Sequence, residues 1–269
     1  MPDTTHYVIR GGLQGRERLR VLSRAMHPTT SALFDRLALR DGLICADIGC
    51  GGGDATLELA RRVGPTGSAT GFDINETKVD IARTEAKQLG VTNVDFSAID
   101  IRKKPPVQPF DVIYARFLLT HLNDPASVVR TFFDYLRPGG IVALEDIDFS
   151  GYFTYPESAL FQRYRDMYCA AVVRRGGDPN IGPRLPSLLH EAGFADVNVH
   201  TFQHVALRGD AKLINPLTME KIAGPVIEDG LATSEEIDQI VRELYDFAAD
   251  PTTLAGTPRI VQSWGRRPA

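Results

Sequence analysis

The chain has 269 residues, enough for one large domain or for one domain with an appended cap. Its formal net charge is -4, which argues against general binding to polyanions such as nucleic acids. Its composition, 43% hydrophobic and 24% charged, is typical of a soluble globular protein, and no apolar run approaches the roughly 20 residues of a membrane span.

The first residues, 1–6, lack the apolar segment of a signal peptide. The three cysteines, Cys45, Cys50 and Cys169, have neither the spacing of a metal site nor the even number of a disulfide framework. These features predict a reduced, cytoplasmic protein with no bound metal and no membrane association.

The first 40 residues are predicted to form an amino-terminal helical lid. A helix is expected from Gly15 to Met26, where His27-Pro28 ends it, and a second helix follows through Arg36. The five arginines from Arg10 to Arg24 are either an anion-binding patch or, as we favour, a solvated helix face.

The most informative stretch runs from Leu43 to Asp73. An apolar run closed by Asp47 leads into a glycine-rich turn, residues 49–53. Apolar residues at helical spacing follow from Asp54, and a second apolar run stops at Asp73. The order is therefore strand, glycine turn, helix, strand and acid, in which the terminal acid can accept hydrogen bonds from a ribose diol.

The glycine spacing distinguishes between ribose ligands. A dinucleotide fingerprint requires Gly-x-Gly-x-x-Gly, and here the third glycine position is occupied by Asp54, which would repel a pyrophosphate. The glycines instead follow the pattern Gly49-x-Gly51-x-Gly53. An unrelated turn in a parallel α/β protein is the alternative interpretation.

The alternation of strands and helices continues to Asp146. We predict a helix over 75–89, strands over 93–99 and 110–116, a helix capped by Asp124, and a strand over 141–146. This pattern predicts a parallel sheet that binds ligands at the carboxyl ends of its strands. Polar side chains fall at those ends: Asp47, Asp73, Asp100, Arg116 and Glu145.

The second half departs from this alternation. Helices are expected over 157–174, near 181–193, over 212–230 with a break near Pro225 and, after a capping box at Thr233, to about residue 247. Strands are expected over 197–207 and 258–264. The segments 157–174 and 212–247 are our candidates for a helical cap over a substrate.

The motifs together resemble those of the class I S-adenosylmethionine (SAM)-dependent methyltransferases, in the menaquinone/ubiquinone-methyltransferase-like branch. The resemblance covers roughly 43–146 and rests on four segments: 47–53, Asp100-Ile101, 110–122 and the Leu-x-Pro-Gly-Gly turn at 136–140. It implies a Rossmann-like, seven-stranded, mostly parallel sheet with helices on both faces, plus a helical cap. Residues 41–150 would form the SAM-binding core, and 151–269 the remaining strands and the cap inserts.

The resemblance also implies site residues for SAM and its product, S-adenosylhomocysteine (SAH). The glycines would approach the amino-acid and ribose parts, Asp73 the ribose hydroxyls, and Asp100 with Ile101 the adenine, while Tyr7 would fold over the ligand. The implied cofactor-binding residues are Tyr7, Asp47, Gly49, Gly51, Asp73, Ile74, Asp100, Ile101, Ala115 and Arg116. The predicted substrate-binding residues are Phe117, His121, Phe153, Tyr155, Tyr164 and Tyr168.

For several of these residues the sequence is also consistent with a purely structural role. His121 follows the fourth strand near the expected methyl group and is the candidate catalytic base, although it could instead cap or pack a helix start. The aromatic residues either line a substrate box or pack the cap onto the sheet. The acids Glu145, Asp146 and Asp148 could bind a metal or an amine, but we favour a solvated turn.

The predicted activity is methyl transfer from SAM to a small, partly apolar or aromatic molecule by a monomer or homodimer. A first alternative is a SAM-binding enzyme of this fold that catalyses a cyclisation or rearrangement. A second is a nucleic-acid methyltransferase, which would require a basic face and a binding module that the sequence lacks.

Overall fold

A computed structural model of the chain describes residues 13–100, 102–103 and 109–269, with side chains from Arg18 onward. The predicted central sheet is present, with seven strands in the order β3-β2-β1-β4-β5-β10-β7. The strands, in chain order, are β1 (Ile44–Ile48), β2 (Ser68–Asp73), β3 (Val94–Ala98), β4 (Phe110–Arg116), β5 (Leu136–Asp148), β6 (Phe153–Tyr155), β7 (Ala195–Phe202), β8 (Val205–Ala206), β9 (Leu254–Gly256) and β10 (Arg259–Arg266).

Strands β1 to β5 of this sheet pair in parallel, and β10 pairs antiparallel with both β5 and β7. The sheet is therefore mostly parallel and ends in an antiparallel hairpin, which confirms the predicted fold class. The helices are α1 (Leu13–Arg36), α2 (Asp54–Arg62), α3 (Glu76–Leu89), α4 (Pro125–Tyr135), α5 (Ala159–Arg174), α6 (Leu185–Glu191), α7 (Asp210–Glu228) and α8 (Ser234–Ala249).

Helices cover both faces of the sheet because successive side chains of a strand point to opposite faces. On β1, Ala46 and Ile48 join a core formed with α4 and α6. Cys45, between them on the opposite face, joins a second core formed with α1 and α2. The near-continuous apolar runs of the parallel strands thus supply two cores at once.

Both predicted proline breaks are wrong, because α1 continues through Pro28 to Arg36 and α7 continues through Pro225 to Glu228. Proline removes one helical N–H group, so a tertiary contact must hold the helix together on both sides. Met26 is buried against the cap, while Leu33 and Phe34 are buried against the sheet. Between them, the hydroxyl of Thr30 donates to the Glu145 carboxylate.

A third core lies beyond the carboxyl end of the sheet. It is formed by α5, α7 and α8 together with Met26 of α1 and Ile147, Phe149 and Ile260 from the ends of β5 and β10. This packing agrees with the predicted helical cap. Three short strands, in the order β6-β9-β8, form a small sheet beside it that the sequence did not indicate. Among the described residues, no helix is long and apolar enough to span a membrane.

A buried lysine anchors the first turn of α7. Lys212 is 1% exposed, and its Nζ donates to the carbonyl oxygens of Leu207, Asp250 and Thr253 and to the Thr253 hydroxyl, at 2.7–3.1 Å. The ammonium thereby joins the segments that precede α7 and follow α8.

We expect Lys212→Met to lower the free energy of unfolding by about 1–3 kcal/mol, because it leaves buried carbonyl groups without a donor. Denaturant unfolding measures this loss, with the exposed Lys87→Met as the control. Equal stability of the two variants would show that the Lys212 ammonium contributes nothing to the cap.

Candidate active site

The glycine-rich turn connects β1 to α2 at the carboxyl end of the sheet. The N–H groups of Gly49 and Cys50 both donate to the carbonyl oxygen of Phe72, at 2.7 and 3.0 Å, and draw the turn towards the end of β2. Gly53 begins α2 with φ +84°, and a Cβ there would lie 2.7 Å from the Phe96 ring. A side chain at position 53 would therefore be both strained and blocked.

Asp73 lies directly behind this turn. Its Oδ2 accepts a hydrogen bond from the Gly51 N–H at 3.1 Å, and its Oδ1 accepts from the Asn75 N–H at 2.9 Å. Lys78 of α3 approaches the same carboxylate at 3.7 Å. The acid that ends β2 is thus held against the second glycine of the motif.

Arg116, at the end of β4, connects the turn to α1. Its guanidinium donates to Asp54 at 2.8 Å and to the Thr30 hydroxyl at 3.2 Å. Thr30 in turn donates to Glu145, which also accepts from Gln262 at 3.1 Å. Asp54, the residue that excludes a dinucleotide fingerprint, is therefore the ion-pair partner of Arg116.

Asp47 is a second acid under the turn, at 2% exposure. Its carboxylate accepts a hydrogen bond from the Thr56 hydroxyl at 2.6 Å. Burial, with repulsion from Asp54 and Asp73, raises the pKa of Asp47 to about 7, against the opposing effects of Thr56 and Arg116. A positive charge bound at the turn would favour the ionised form of this group.

The segment after β4 carries two predicted substrate residues. Phe117 has φ +53°, which is unusual for an aromatic residue, and its N–H donates to the Glu145 carbonyl oxygen at 2.8 Å. Asp146 accepts from the Thr120 N–H at 3.1 Å and orients the next turn. Desolvation of His121, with the nearby charges of Lys78 and Arg18, lowers its pKa to about 3.

The interpretation of the acids after β5 as a solvated turn is wrong. Glu145, Asp146 and Asp148 are 0%, 1% and 2% exposed, because β5 extends to Asp148 and pairs there with β10. Asp148 forms an ion pair with Arg259 at 2.7 Å. Within the described residues, no cluster of three His, Cys, Asp or Glu side chains is arranged to hold a metal ion.

A cavity lies between the glycine turn and the cap helices. At its turn end it is lined by Asp47, Gly49, Gly51, Arg116, Phe117 and His121, all of which were predicted from the sequence. The opposite end of the cavity, called the cap end below, is formed by residues of α1, α5 and α7 and by Phe149. It includes the predicted Tyr164 and Tyr168. The structure thus brings cofactor and substrate candidates to one cavity.

The remaining predicted residues do not line this cavity. Asp73 is hydrogen-bonded to the lining residue Gly51, and Ala115 is buried beside the lining residue Arg116. Ile74 is 45% exposed, and Asp100 pairs with Arg102 at 2.7 Å, which lowers the Asp100 pKa. Phe153 and Tyr155 are exposed, because they belong to β6 of the small sheet. Tyr7 and Ile101 lie outside the described residues.

Sequence reasoning missed several residues of the wall: Arg18, Lys78, Phe149, Asn215, Thr218 and Thr257. Asn215 and Thr218 carry a detectable signal, since they are polar residues three apart in the largely apolar segment from Ile214 to Val226. Nothing in the local sequence distinguishes Arg18 from the neighbouring arginines.

Comparisons with known proteins agree with this architecture. The chain is 31% identical to phosphoethanolamine N-methyltransferase 1 of Arabidopsis thaliana over 63% of its own length and 32% of that protein. It is 31% identical to a ubiquinone biosynthesis O-methyltransferase of Pseudomonas paraeruginosa, covering 56% of this chain and 62% of the relative. The chain therefore spans about a third of the plant protein and less than two thirds of the bacterial one.

A solved structure shares the fold. Phosphoethanolamine N-methyltransferase 2 of Haemonchus contortus, in complex with phosphomonomethylethanolamine and SAH, superposes with a TM-score of 0.57 at 17% identity, over 90% of this chain and 53% of the other. A family model described as a methyltransferase domain matches residues 39–180, more than half of the 269-residue chain. The predicted family is confirmed, and this protein belongs to the methyltransferase domain family.

Proposed function

We propose that the protein binds SAM at the glycine turn and transfers its methyl group to a small, partly apolar or aromatic molecule bound at the cap end. The observation that carries this proposal is a cavity that joins the glycine turn to the aromatic face of α5. The proposal includes a lid at residues 1–40, a core at 41–150, and sheet and cap segments at 151–269. It also includes a cytoplasmic location and a monomeric or homodimeric state.

The turn end of the cavity fits a cationic nucleoside better than a dinucleotide. SAM carries a sulfonium and an ammonium group, and Asp47, Asp54 and Asp73 lie under or beside the turn. We assign Gly49 and Gly51 to the amino-acid and ribose parts and Asp73 to the ribose hydroxyls. The adenine would extend towards Ile74 and Asp100, which follow the adjacent strands β2 and β3.

The chemistry that SAM would supply is an electrophilic methyl group, whose bond to sulfur would break as the acceptor atom bonds to the methyl carbon in line and SAH leaves. The protein must therefore hold the acceptor atom opposite the sulfur, and good alignment supplies much of the acceleration. Phe117 and His121 lie in the wall between the turn and the cap, where they can orient the acceptor. With a pKa of about 3, His121 is neutral at ordinary pH and can accept a hydrogen bond from, or donate one to, the acceptor.

The names of both enzyme relatives refer to small molecules: one is a phosphoethanolamine N-methyltransferase and the other an O-methyltransferase of ubiquinone biosynthesis. This supports a small-molecule acceptor for the present chain. A nucleic-acid acceptor is disfavoured by the net charge of -4.

We expect Asp73→Ala to weaken the binding of SAM and SAH roughly 10- to 100-fold, because the ribose loses a charged hydrogen-bond acceptor. Isothermal calorimetry measures both affinities. Asp95→Ala on β3, an exposed acid of the neighbouring strand, is the matched control. Unchanged affinity in Asp73→Ala would remove the ribose assignment.

A mass-spectrometric screen of candidate metabolites with SAM tests the reaction itself. We expect a product one methylene heavier than its precursor, formed together with an equal amount of SAH. A product isomeric with its precursor, with SAM unconsumed, would instead establish the cyclisation or rearrangement alternative.

We expect His121→Ala to reduce turnover by less than about 10²-fold and by the same factor at every pH from 5 to 9, because the imidazole is already neutral throughout that range. The measurement is the pH–rate profile of variant and wild type, with the exposed His190→Ala as the control. A loss of about 10²–10⁴-fold would identify His121 as a general base, and a loss that changes between pH 5 and 9 would show that the imidazole titrates in that range. Unchanged turnover per folded molecule, with lower stability, would identify it as structural.

A further inference from the structure

Three buried polar residues lie at intervals of three along one face of α7. Lys212, Asn215 and Thr218 are 1%, 1% and 3% exposed. Lys212 donates to carbonyl groups near the start of the helix, as described above. Asn215 differs from Lys212. Its amide Nδ2 is buried and has no hydrogen-bond partner among the described residues.

The neighbouring hydroxyl does not satisfy Asn215. The Oγ1 of Thr218 accepts a hydrogen bond from Arg18 Nε at 3.1 Å and also bonds to the hydroxyl of Tyr164. Asn215 lines the cap end of the cavity beside these three groups. A buried amide donor without a partner is rare in native structures unless a ligand or water completes it.

The charge at this end of the cavity has one sign. Arg18 is the charged residue among the described side chains of the cap end, and the cavity's described acids, Asp47 and Asp54, belong to the turn end. The positive field of Arg18 reaches as far as His121, whose pKa it helps to lower. A donor amide next to a guanidinium favours a negatively charged acceptor group.

The rest of the cap end suits a flat apolar body. The rings of Phe149 and Tyr168 stack with centroids 4.4 Å apart, and Ile214 lies one residue before Asn215 on α7. A ligand that accepts a hydrogen bond from the Asn215 amide would therefore pack its apolar part against aromatic and aliphatic side chains.

We propose that the cap end binds an acceptor substrate that carries a carboxylate on an apolar, ring-sized body, with Asn215 as the donor that recognises the carboxylate. Arg18 supplies the complementary charge, and Thr218 positions Arg18 through its Nε. The inference rests on the proposed function, since it places the methyl acceptor in the same cavity as SAM.

The test uses three probes with one ring and different head groups: 3-phenylpropionate, 3-phenylpropanamide and 3-phenylpropylamine. Their binding to the SAH-loaded full chain is measured by calorimetry. We expect the carboxylate to bind at least tenfold more tightly than the amine, with the amide between them.

The decisive variant is Asn215→Asp, which keeps the size of the side chain but replaces both N–H donors by a charged oxygen. We expect it to weaken 3-phenylpropionate binding at least tenfold while SAH affinity is unchanged. The matched control is Asn198→Asp on β7, an exposed asparagine whose Nδ2 bonds locally to the Asp196 carbonyl oxygen, and it should change neither affinity.

A second variant covers the case in which Asn215→Asp does not fold. Arg18→Gln, at a partly exposed position, should weaken the carboxylate probe at least tenfold and leave the amide probe unchanged. With SAH bound normally, equal binding of carboxylate and amine, or an unchanged carboxylate affinity in the folded variant, overturns this inference alone. If the wild-type chain does not bind SAH, the proposed function falls and this inference falls with it.

Discussion

The pairing of Arg116 with Asp54 and Thr30 is the interaction on which the arrangement of the site depends. It joins three elements that are distant in sequence: β4, the first residue of α2 and the middle of α1. Glu145 and Gln262 extend the network into β5 and β10. Thr30 and Glu145 are buried, and leaving a buried hydrogen-bonding group without its partner costs about 1–3 kcal/mol. The network thereby ties the glycine turn and α1 to the sheet.

The cavity exists because the third core lies beyond the carboxyl end of the sheet, apart from the cores that cover the faces of the strands. The sheet cores bury the faces of the strands but leave their carboxyl ends uncovered. The cap helices bury their own apolar faces against one another and against Met26, Ile147 and Ile260. The space between the glycine turn and this third core is lined by the acids and glycines of the turn at one end, and at the other by aromatic side chains together with Arg18, Asn215 and Thr218.

The segment between these two halves is held in a strained conformation. The left-handed backbone of Phe117 costs about 1–3 kcal/mol, which the surrounding hydrogen bonds of Glu145 and Asp146 must offset. In return, the backbone reverses directly after β4 and brings Phe117 and His121 into the cavity wall. The buried acids of β5 therefore position the candidate substrate residues, and do not form a solvated turn.

The sequence by itself determined the sheet, its strand-end acids and the family, because those features depend on local patterns: apolar runs, glycine spacing and acids such as Asp47 and Asp73. Predictions from the sequence were wrong for features that depend on contacts between residues distant in sequence. Pro28 lies inside α1 because Thr30 and Met26 find partners more than a hundred residues away. Phe153 and Tyr155 are exposed because β6 pairs with β9, about a hundred residues later. Asn215 lines the cavity with a buried Nδ2 that has no hydrogen-bond partner among the described residues, whereas Lys212 and Thr218 bond to other segments. Only the tertiary structure decides which of these polar groups is left for a ligand.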